Sequence, residues 1–378
     1  MFGIEFPVLL AGMGPTVGES NHGVAGPELV AAVSNAGGLG VLGGTGYGPD
    51  EMEAAILRIR ELTDKPFGID ILLPVLGPKA ASPASPASLP PGATLSSLIP
   101  EGHKSAVEQL RQQLDLPATS RPERKSDDVG MAAALFDPQR QIDVIVGMGV
   151  SVLATGLGDP APFMSQLRDA GTTVISLIGN VKAARRVLAA GVDAVVAQGS
   201  EAGGHTGRIG TMALLPQVLD IAGDTPVIAA GGIGDGRGLA AVLAMGCAGA
   251  WCGTVFIATN EAAQDTARKQ RIVAANDEST KVTRLYSGKT MRNITNPLID
   301  AWEESGIKAL PMGMQSALIA PLLRGAEAAG HDDYSMLAAG QISGLVKSVR
   351  PAGDVLMDMV VGASSLLSEQ LQATVRTH

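Results

Sequence analysis

Residues 226–258 have the sequence PVIAAGGIGDGRGLAAVLAMGCAGAWCGTVFIA. The apolar run at the start predicts a buried strand, and RGLAAVLAMG predicts a helix that ends at a glycine able to take a left-handed conformation. The second apolar run, GAWCGTVFIA (249–258), predicts another strand. Strand, helix and strand in this order are typical of a βαβ unit, in which a helix joins two parallel strands.

The same alternation of short apolar runs and helical stretches continues towards the N-terminus. The predicted strands are residues 7–13, 39–44, 67–74, 151–158, 172–179, 193–199, 226–232 and 249–258. Eight parallel strands with crossover helices favour a closed (β/α)₈ TIM barrel over the alternative, an open doubly wound sheet.

Two regions depart from this rhythm. Residues 77–130 are rich in Pro, Ala and Ser and then in charge, which predicts an insertion or lid after strand three, with a short helix at 101–114. The barrel is therefore assigned to residues 1–76 and 131–275. Strand patterns are lost from residue 276 onward, so 276–378 are predicted to form a helical cap or substrate domain.

The composition limits the classes of partner. The chain has 37 acidic and 28 basic residues and a net charge of −9, which argues against nucleic acid or an anionic membrane as the main partner. No apolar run is long enough for a membrane span or signal peptide, so a cytoplasmic protein is expected. Cys247 and Cys252 are too few for a disulfide framework and lack zinc-ligand spacing, so no metal is predicted.

A glycine-rich turn follows the seventh predicted strand. Its glycines are Gly231, Gly232, Gly234, Gly236 and Gly238. Without a Cβ, their backbone N–H groups can approach an anion closely, and the following helix start adds its dipole. The eighth strand is expected to end near GTVF (253–256), with Gly253 and Thr254 beside the turn, and the loops after strands seven and eight are the recurrent phosphate site of this barrel. The alternative is a turn that binds no ligand.

The loop after strand six, AQGSEAGGHTG (197–207), contains His205. Strands of a barrel direct their carboxyl ends to the catalytic face, and an imidazole is a natural proton acceptor near neutral pH. We therefore predict a catalytic role for His205, against the alternative of an ordinary polar residue. Gln198 ends the strand, where its amide could hold a flat heteroaromatic ring.

Two further residues lie at the same predicted face, and each has two interpretations. Met13, at the end of strand one, would pack against the face of a ring or serve as a core methionine. Asp70, in strand three, would form a hydrogen bond with a ring or be an ordinary buried polar residue.

Several of these segments together resemble the nitronate monooxygenase family. The two central motifs are AQGSEAGGHTG and the stretch from Pro226 to Phe256, and they are long and specific. The likeness covers most of residues 1–75 and 140–300, and it includes PVLLAGM (7–13), VSNAGGLGVLG (33–43) and SGKTMRNITN (287–296).

The resemblance implies a barrel that binds FMN without a covalent bond and carries a helical substrate domain. By matching position, Gln198 and Gly203 would contact the flavin, and His205 would be the active-site histidine. The phosphate end would be held by Gly232, Trp251, Cys252, Gly253 and Thr254. The implied reaction converts an alkyl nitronate and O₂ to a carbonyl compound and nitrite, and His205 would take the α-proton of a neutral nitroalkane.

Three features depart from the family pattern. Asp70 stands where the family usually has Asn, and an ionised acid there would disfavour an anionic reduced flavin. Thr206 replaces the Arg that often follows the histidine, so a contact to an anion is missing. The insertion at 77–130 is longer than a barrel connection needs and could change access to the site.

The sequence leaves other functions open. The same flavin barrel resembles NAD(P)H-dependent quinone reductases and enoyl-ACP reductases, so NAD(P)H is a further partner to test, as is a second copy of the chain. A phosphosugar isomerase or lyase would have a similar phosphate site, although it needs a Lys or carboxylate at a strand end, where the sequence offers only Asp70. A flavin-binding module without turnover is the third alternative.

Overall fold

The computed structural model describes residues 1–14, 23–73, 95–118 and 138–370. Its strands are β1 Val8–Leu10, β2 Gly40–Gly43, β3 Phe67–Leu72, β4 Val152–Gly156, β5 Thr173–Ile178, β6 Ala194–Gln198, β7 Gly204–His205, β8 Val227–Ala230, β9 Gly249–Cys252, β10 Thr280–Thr283 and β11 Met291–Ile294. Its α-helices are α1 Pro27–Asn35, α2 Pro49–Leu62, α3 Glu101–Gln113, α4 Pro138–Gly147, α5 Met164–Asp169, α6 Val181–Ala190, α7 Thr211–Ala222, α8 Gly236–Ala244, α9 Thr254–Ile257, α10 Thr266–Val273, α11 Pro297–Ser305, α12 Met314–Ala328 and α13 Ala352–Ser365.

Eight parallel strands form one sheet in the order β1-β9-β8-β6-β5-β4-β3-β2. The N–H of Leu10 donates to the carbonyl of Leu39 at 2.9 Å, and the N–H of Leu39 donates to the carbonyl of Val8 at 3.1 Å. These bonds join β1 to the residue before β2 and close the sheet. The predicted TIM barrel is confirmed, and each of the eight predicted strands contains one barrel strand.

The end of the eighth predicted strand is wrong. Residues 249–258 were expected to be extended, but β9 ends at Cys252 and Thr254–Ile257 form the short helix α9. Gly253 turns the chain at this point, with φ −112° and ψ −65°. An apolar run of this length fits a buried strand or a buried helix equally well, so periodicity could not find the boundary.

Side chains on the barrel strands alternate between two apolar clusters. Ile69 and Ile71 point outward to the helices, whereas Val152 and Ala154 belong to the cluster inside the barrel. The same alternation directs Asp70, between the two isoleucines, to the barrel interior. Small and branched inward residues fill the lower layers, and polar residues appear near the carboxyl ends of the strands.

A second sheet lies outside the barrel and corrects the prediction that residues after 276 contain no strands. It is antiparallel and three-stranded, in the order β10-β11-β7. Met291 pairs with His205 and Arg292 with Gly204, so the sheet joins the loop after β6 to the C-terminal region. These strands are short and not flanked by repeated helices, which is why the sequence pattern did not reveal them.

The C-terminal region also contains the expected helices. Trp302 of α11 and Leu322 of α12 share an apolar cluster with Leu110 of α3, so the helix predicted at 101–114 packs with this region. Leu356 of α13 belongs instead to the outer cluster of the barrel. The domain boundaries stay a prediction. Within the described residues, the helices are too short or too polar to cross a membrane.

Candidate active site

The turn after β8 has a backbone that requires glycine. Gly231 and Gly232 have φ values of 90° and 77°, in the left-handed region that other residues rarely adopt. A Cβ on Gly231 would lie 3.0 Å from the carbonyl oxygen of Gly199. The hydroxyl of Thr211 donates to the carbonyl of Gly231 at 2.8 Å, which fixes the orientation of this peptide.

Backbone N–H groups are available in the loops after β8 and β9. These strands are neighbours, with Ala230 paired to Trp251, so the two loops begin side by side. Within the described chain, no group accepts a hydrogen bond from the N–H of Gly232, Gly253 or Thr254. A cradle of uncompensated backbone donors is suited to a phosphate group, and the residues present therefore fit the phosphate end of a flavin nucleotide.

A C-terminal segment packs against this cradle. The hydroxyl of Thr254 accepts a hydrogen bond from the N–H of Gly340 at 2.9 Å. A Cβ on Gly203 would lie 2.6 Å from the carbonyl carbon of Ala339, so only glycine allows the two backbones to approach. The close approach of Gly203 is thus explained by this packing, and its contact with a flavin stays a prediction.

His205 is held from both its backbone and its ring. The backbone pairs with Met291, and the Nε2 atom lies 2.9 Å from the Oγ atom of the buried Ser287. Burial, and then the positive charge of Lys289, lower the pKa of His205 to about 4. The imidazole is therefore neutral at pH 7 and has one ring nitrogen able to accept a proton.

Gln198 supports the histidine loop in this structure. Its Nε2 atom donates to the carbonyl of His205 at 2.6 Å. The hydroxyl of Thr206 donates to the carbonyl of Gly199 at 3.0 Å. Thr206 thus forms a hydrogen bond within the loop and does not provide a cation. The contact of Gln198 with a ring stays a prediction.

Three supporting residues were missed by sequence reasoning. The guanidinium of Arg292 donates to the carbonyl of Ser200 through Nε at 3.2 Å and Nη2 at 3.0 Å. The carboxylate of Glu201 accepts from the N–H of Thr211 at 2.9 Å, at the first residue of α7. Ser287 is the third. Arg292 and Ser287 lie in the SGKTMRNITN motif. Their contacts are with residues distant in the chain, so the motif alone does not predict them.

Met13, Trp251 and Cys252 are predicted residues that lie at or beside the end of β9. The Sδ atom of Met13 would lie 3.3 Å from a Cβ on Gly253, so Met13 is beside the end of β9. The side chain of Trp251 is buried in the apolar cluster inside the barrel. The side chain of Cys252 is buried in the outer cluster, between the barrel and its helices. Burial raises the pKa of the Cys252 thiol to about 12, so this thiol is not a nucleophile. At these two positions only the backbone is suitable for contacting a ligand.

Asp70 lies at the same end of the barrel, beside the segment that contains Met13. A Cβ on Gly12 would lie 2.7 Å from its Oδ2 atom, so the backbone of Gly12 passes directly over the carboxyl group. Burial raises the pKa of Asp70 well above its ordinary value.

Comparison with known proteins identifies relatives along nearly the whole chain. The family model described as nitronate monooxygenase matches residues 1–362. A Mycobacterium tuberculosis protein named as a monooxygenase is 38% identical over 342 residues, covering 88% of this chain and 90% of its own length. An octahydroindene carboxyl-CoA dehydrogenase of Rhodococcus jostii is 34% identical over 306 residues, covering 81% and 67%. The crystal structure of nitroalkane oxidase from Streptomyces ansochromogenes has 29% identity and a TM-score of 0.78, with 97% and 98% coverage.

Proposed function

The chain belongs to the nitronate monooxygenase family, and we propose that it binds FMN and oxidises alkyl nitronates or nitroalkanes with O₂ to a carbonyl compound and nitrite. The resemblance predicted from the two central motifs is confirmed, and the chain is a flavin-dependent oxidoreductase. The observation that carries the finer assignment is the neutral His205, held by Ser287 beside Lys289 at the same end of the barrel as the backbone cradle.

FMN is the flavin that we assign. Its phosphate would be held by the N–H groups of Gly232, Gly253 and Thr254. A Cβ on Gly234 would lie 2.9 Å from the Cδ1 atom of Leu345, so the Leu345 side chain packs against this turn. The assignment of FMN rather than FAD rests on the resemblance to the family. FMN supplies the redox and oxygen chemistry when it is bound.

The hydrogen bonds around Ser287 bear on the position of the proton on His205. The hydroxyl of Ser287 has the carbonyl of Lys289 as an acceptor at 3.3 Å. In the tautomer that we assign, the Oγ atom accepts from the Nε2–H of His205 across 2.9 Å. This arrangement leaves the lone pair on Nδ1, which would accept the α-proton of a neutral nitroalkane.

Lys289 supplies a positive charge near this base. Burial of its ammonium group lowers its pKa, and its charge acts on His205. A nitronate is an anion, and an acidic protein with net charge −9 must provide a local cation to hold one. Lys289 would meet this need at a site where Thr206 offers no charge.

The visible spectrum of the purified protein tests the proposal. We expect flavin absorbance, and we expect an alkyl nitronate added under argon to bleach it without NADH. Nitrite should then form when air is admitted. A colourless protein that takes up no FMN would contradict the flavin assignment.

A flavin-dependent dehydrogenase or reductase is the second candidate, because one relative of 34% identity is named as a carboxyl-CoA dehydrogenase. Rapid bleaching by NADH or NADPH under argon, with no response to a nitronate, would favour it. Family membership favours both flavin enzymes over a phosphosugar isomerase or lyase.

A further inference from the structure

Asp70 is an inward-facing acid on β3, and its described neighbours in the barrel carry no charge. Its strand neighbours are Gly43 on β2 and Ala154 on β4, and neither has a polar side chain. Gly12, which passes over the carboxyl group, has none either. Burial raises the pKa of Asp70 by desolvation. No charged group in the described part of the chain contributes to this shift.

One oxygen of the carboxyl group is also without a hydrogen-bond partner. Asp70 is 8% exposed, and its Oδ1 atom forms no hydrogen bond with any described residue. Among the described residues, an ionised carboxylate in this position would have no neighbouring cation and no donor to its Oδ1 atom, which is strongly unfavourable. The neutral acid avoids this cost and has one O–H to donate.

A second polar side chain at the same end of the barrel interior is already hydrogen-bonded within the protein. Gln198 faces the same end of the barrel, but its Nε2 atom donates to the carbonyl of His205. An O–H on the Oδ1 atom of a neutral Asp70 therefore has no acceptor among the described residues. A planar ring with nitrogen and oxygen acceptors at its edge would satisfy it.

We propose that Asp70 remains a neutral carboxylic acid in the folded enzyme and donates a hydrogen bond to the isoalloxazine ring of the bound flavin. This inference rests on the flavin site of the proposed function. It also gives flavin binding a pH dependence with a definite sign. Ionisation would replace the donor by a negative charge against the ring, so affinity falls as the pH rises through the pKa of Asp70. By linkage, bound flavin raises that pKa further.

The first test compares flavin affinity in three proteins. Apoprotein is titrated with FMN, and quenching of flavin fluorescence gives the dissociation constant for the wild type, Asp70→Asn and Asp70→Leu. We expect Asp70→Asn, which keeps a donor, to bind within about threefold of the wild type at neutral pH, and Asp70→Leu to bind on the order of tenfold more weakly. Equal affinity of the Asn and Leu variants would overturn the proposal.

The second test observes the proton directly. In an infrared difference spectrum of wild type minus Asp70→Asn at neutral pH, we expect the carbonyl band of a protonated carboxylic acid, and we expect added FMN to shift it. Absence of the band, or a band that FMN leaves unchanged, would contradict the proposal. Asp169→Asn, an exposed acid at the end of α5, is the matched control and should show no such band.

These measurements distinguish a failure of the proposed flavin site from a failure of the role proposed for Asp70. If the wild type binds no flavin, the proposed function fails, and the infrared band of the apoprotein still decides whether Asp70 is protonated. If the wild type binds FMN and the Leu variant binds it equally well, the role of Asp70 alone is wrong. Near-ultraviolet circular dichroism of each variant confirms that the barrel is folded.

Discussion

The barrel and the three-stranded sheet beside it are both β-structure, yet they depend on different kinds of sequence information. Each barrel strand is linked to the next by a helix, and the repeated unit is visible in hydrophobic runs and glycine stops. The small sheet pairs His205 with Met291, far apart in the chain, through only a few backbone bonds. The barrel provides stability and the backbone cradle proposed to bind phosphate, whereas the small sheet positions His205, the proposed base. The following changes should separate these contributions.

The largest effect should come from His205→Asn. Loss of the base is expected to lower turnover of neutral nitroalkanes by about 10²- to 10⁴-fold, the usual contribution of general base catalysis. Preformed nitronates need no proton removal, so their oxidation should change much less. Steady-state assays with both substrates measure the split. Loss of bound flavin in this variant would instead assign a structural role to His205.

Ile69→Ala should damage the barrel and spare the chemistry. Ile69 is fully buried on the outer face of β3, and its truncation should lower the free energy of unfolding by about 2–5 kcal/mol. Urea denaturation followed by circular dichroism measures this loss. Turnover per folded molecule should stay near the wild-type value, and a large fall in it would mean that the two regions are not separable.

Stability should depend on pH through His205. Its pKa is lowered from 6.5 to about 4 in the folded protein, so below pH 6.5 the unfolded chain binds the proton first. This contribution to stability is complete above pH 6.5 and is lost as the pH falls towards 4, by up to about 3 kcal/mol. Denaturation of the wild type and of His205→Asn at several pH values isolates it. Identical acid sensitivity in the two proteins would refute the assignment.

Arg292→Gln should weaken the small sheet alone. Removing the guanidinium frees the carbonyl of Ser200 and loosens the histidine loop, so we expect turnover to fall about tenfold while flavin is retained. Lys281→Gln is the control in the same sheet, because its ion pair with Asp300 is exposed and should matter little. If both variants have the same activity, Arg292 does not position the loop.

The smallest effect on the titration of His205 should come from Lys289→Gln. Removing the positive charge raises the pKa of His205, but burial is the larger cause of its displacement, so a rise of less than about one unit is expected. The acid limb of the nitroalkane rate profile should move to higher pH by that amount. Lys65→Gln, in the turn before β3 at the opposite end of the barrel, should leave the profile unchanged.

The candidate site could be predicted in part from the sequence. The glycines of the turn proposed to bind phosphate and the position of His205 follow from residue type and from the rule that barrel sites lie at strand ends. The identity of Ser287 as the partner of His205 does not follow, because a single serine in a loop gives no signal until that loop is placed beside β7. The same reason hides Arg292, whose acceptor is a backbone carbonyl rather than an opposite charge.

Local patterns alone determined the barrel, its helix stops and the backbone freedom of Gly231 and Gly232, since these depend on neighbours within a few residues. Tertiary structure decided the end of β9, the sheet that holds His205, and the lack of a hydrogen-bond partner for the Asp70 Oδ1 atom among the described residues. Those features come from backbone pairing between distant segments and from burial by residues distant in the chain. Neither backbone pairing nor burial of this kind produces a periodic pattern in the sequence.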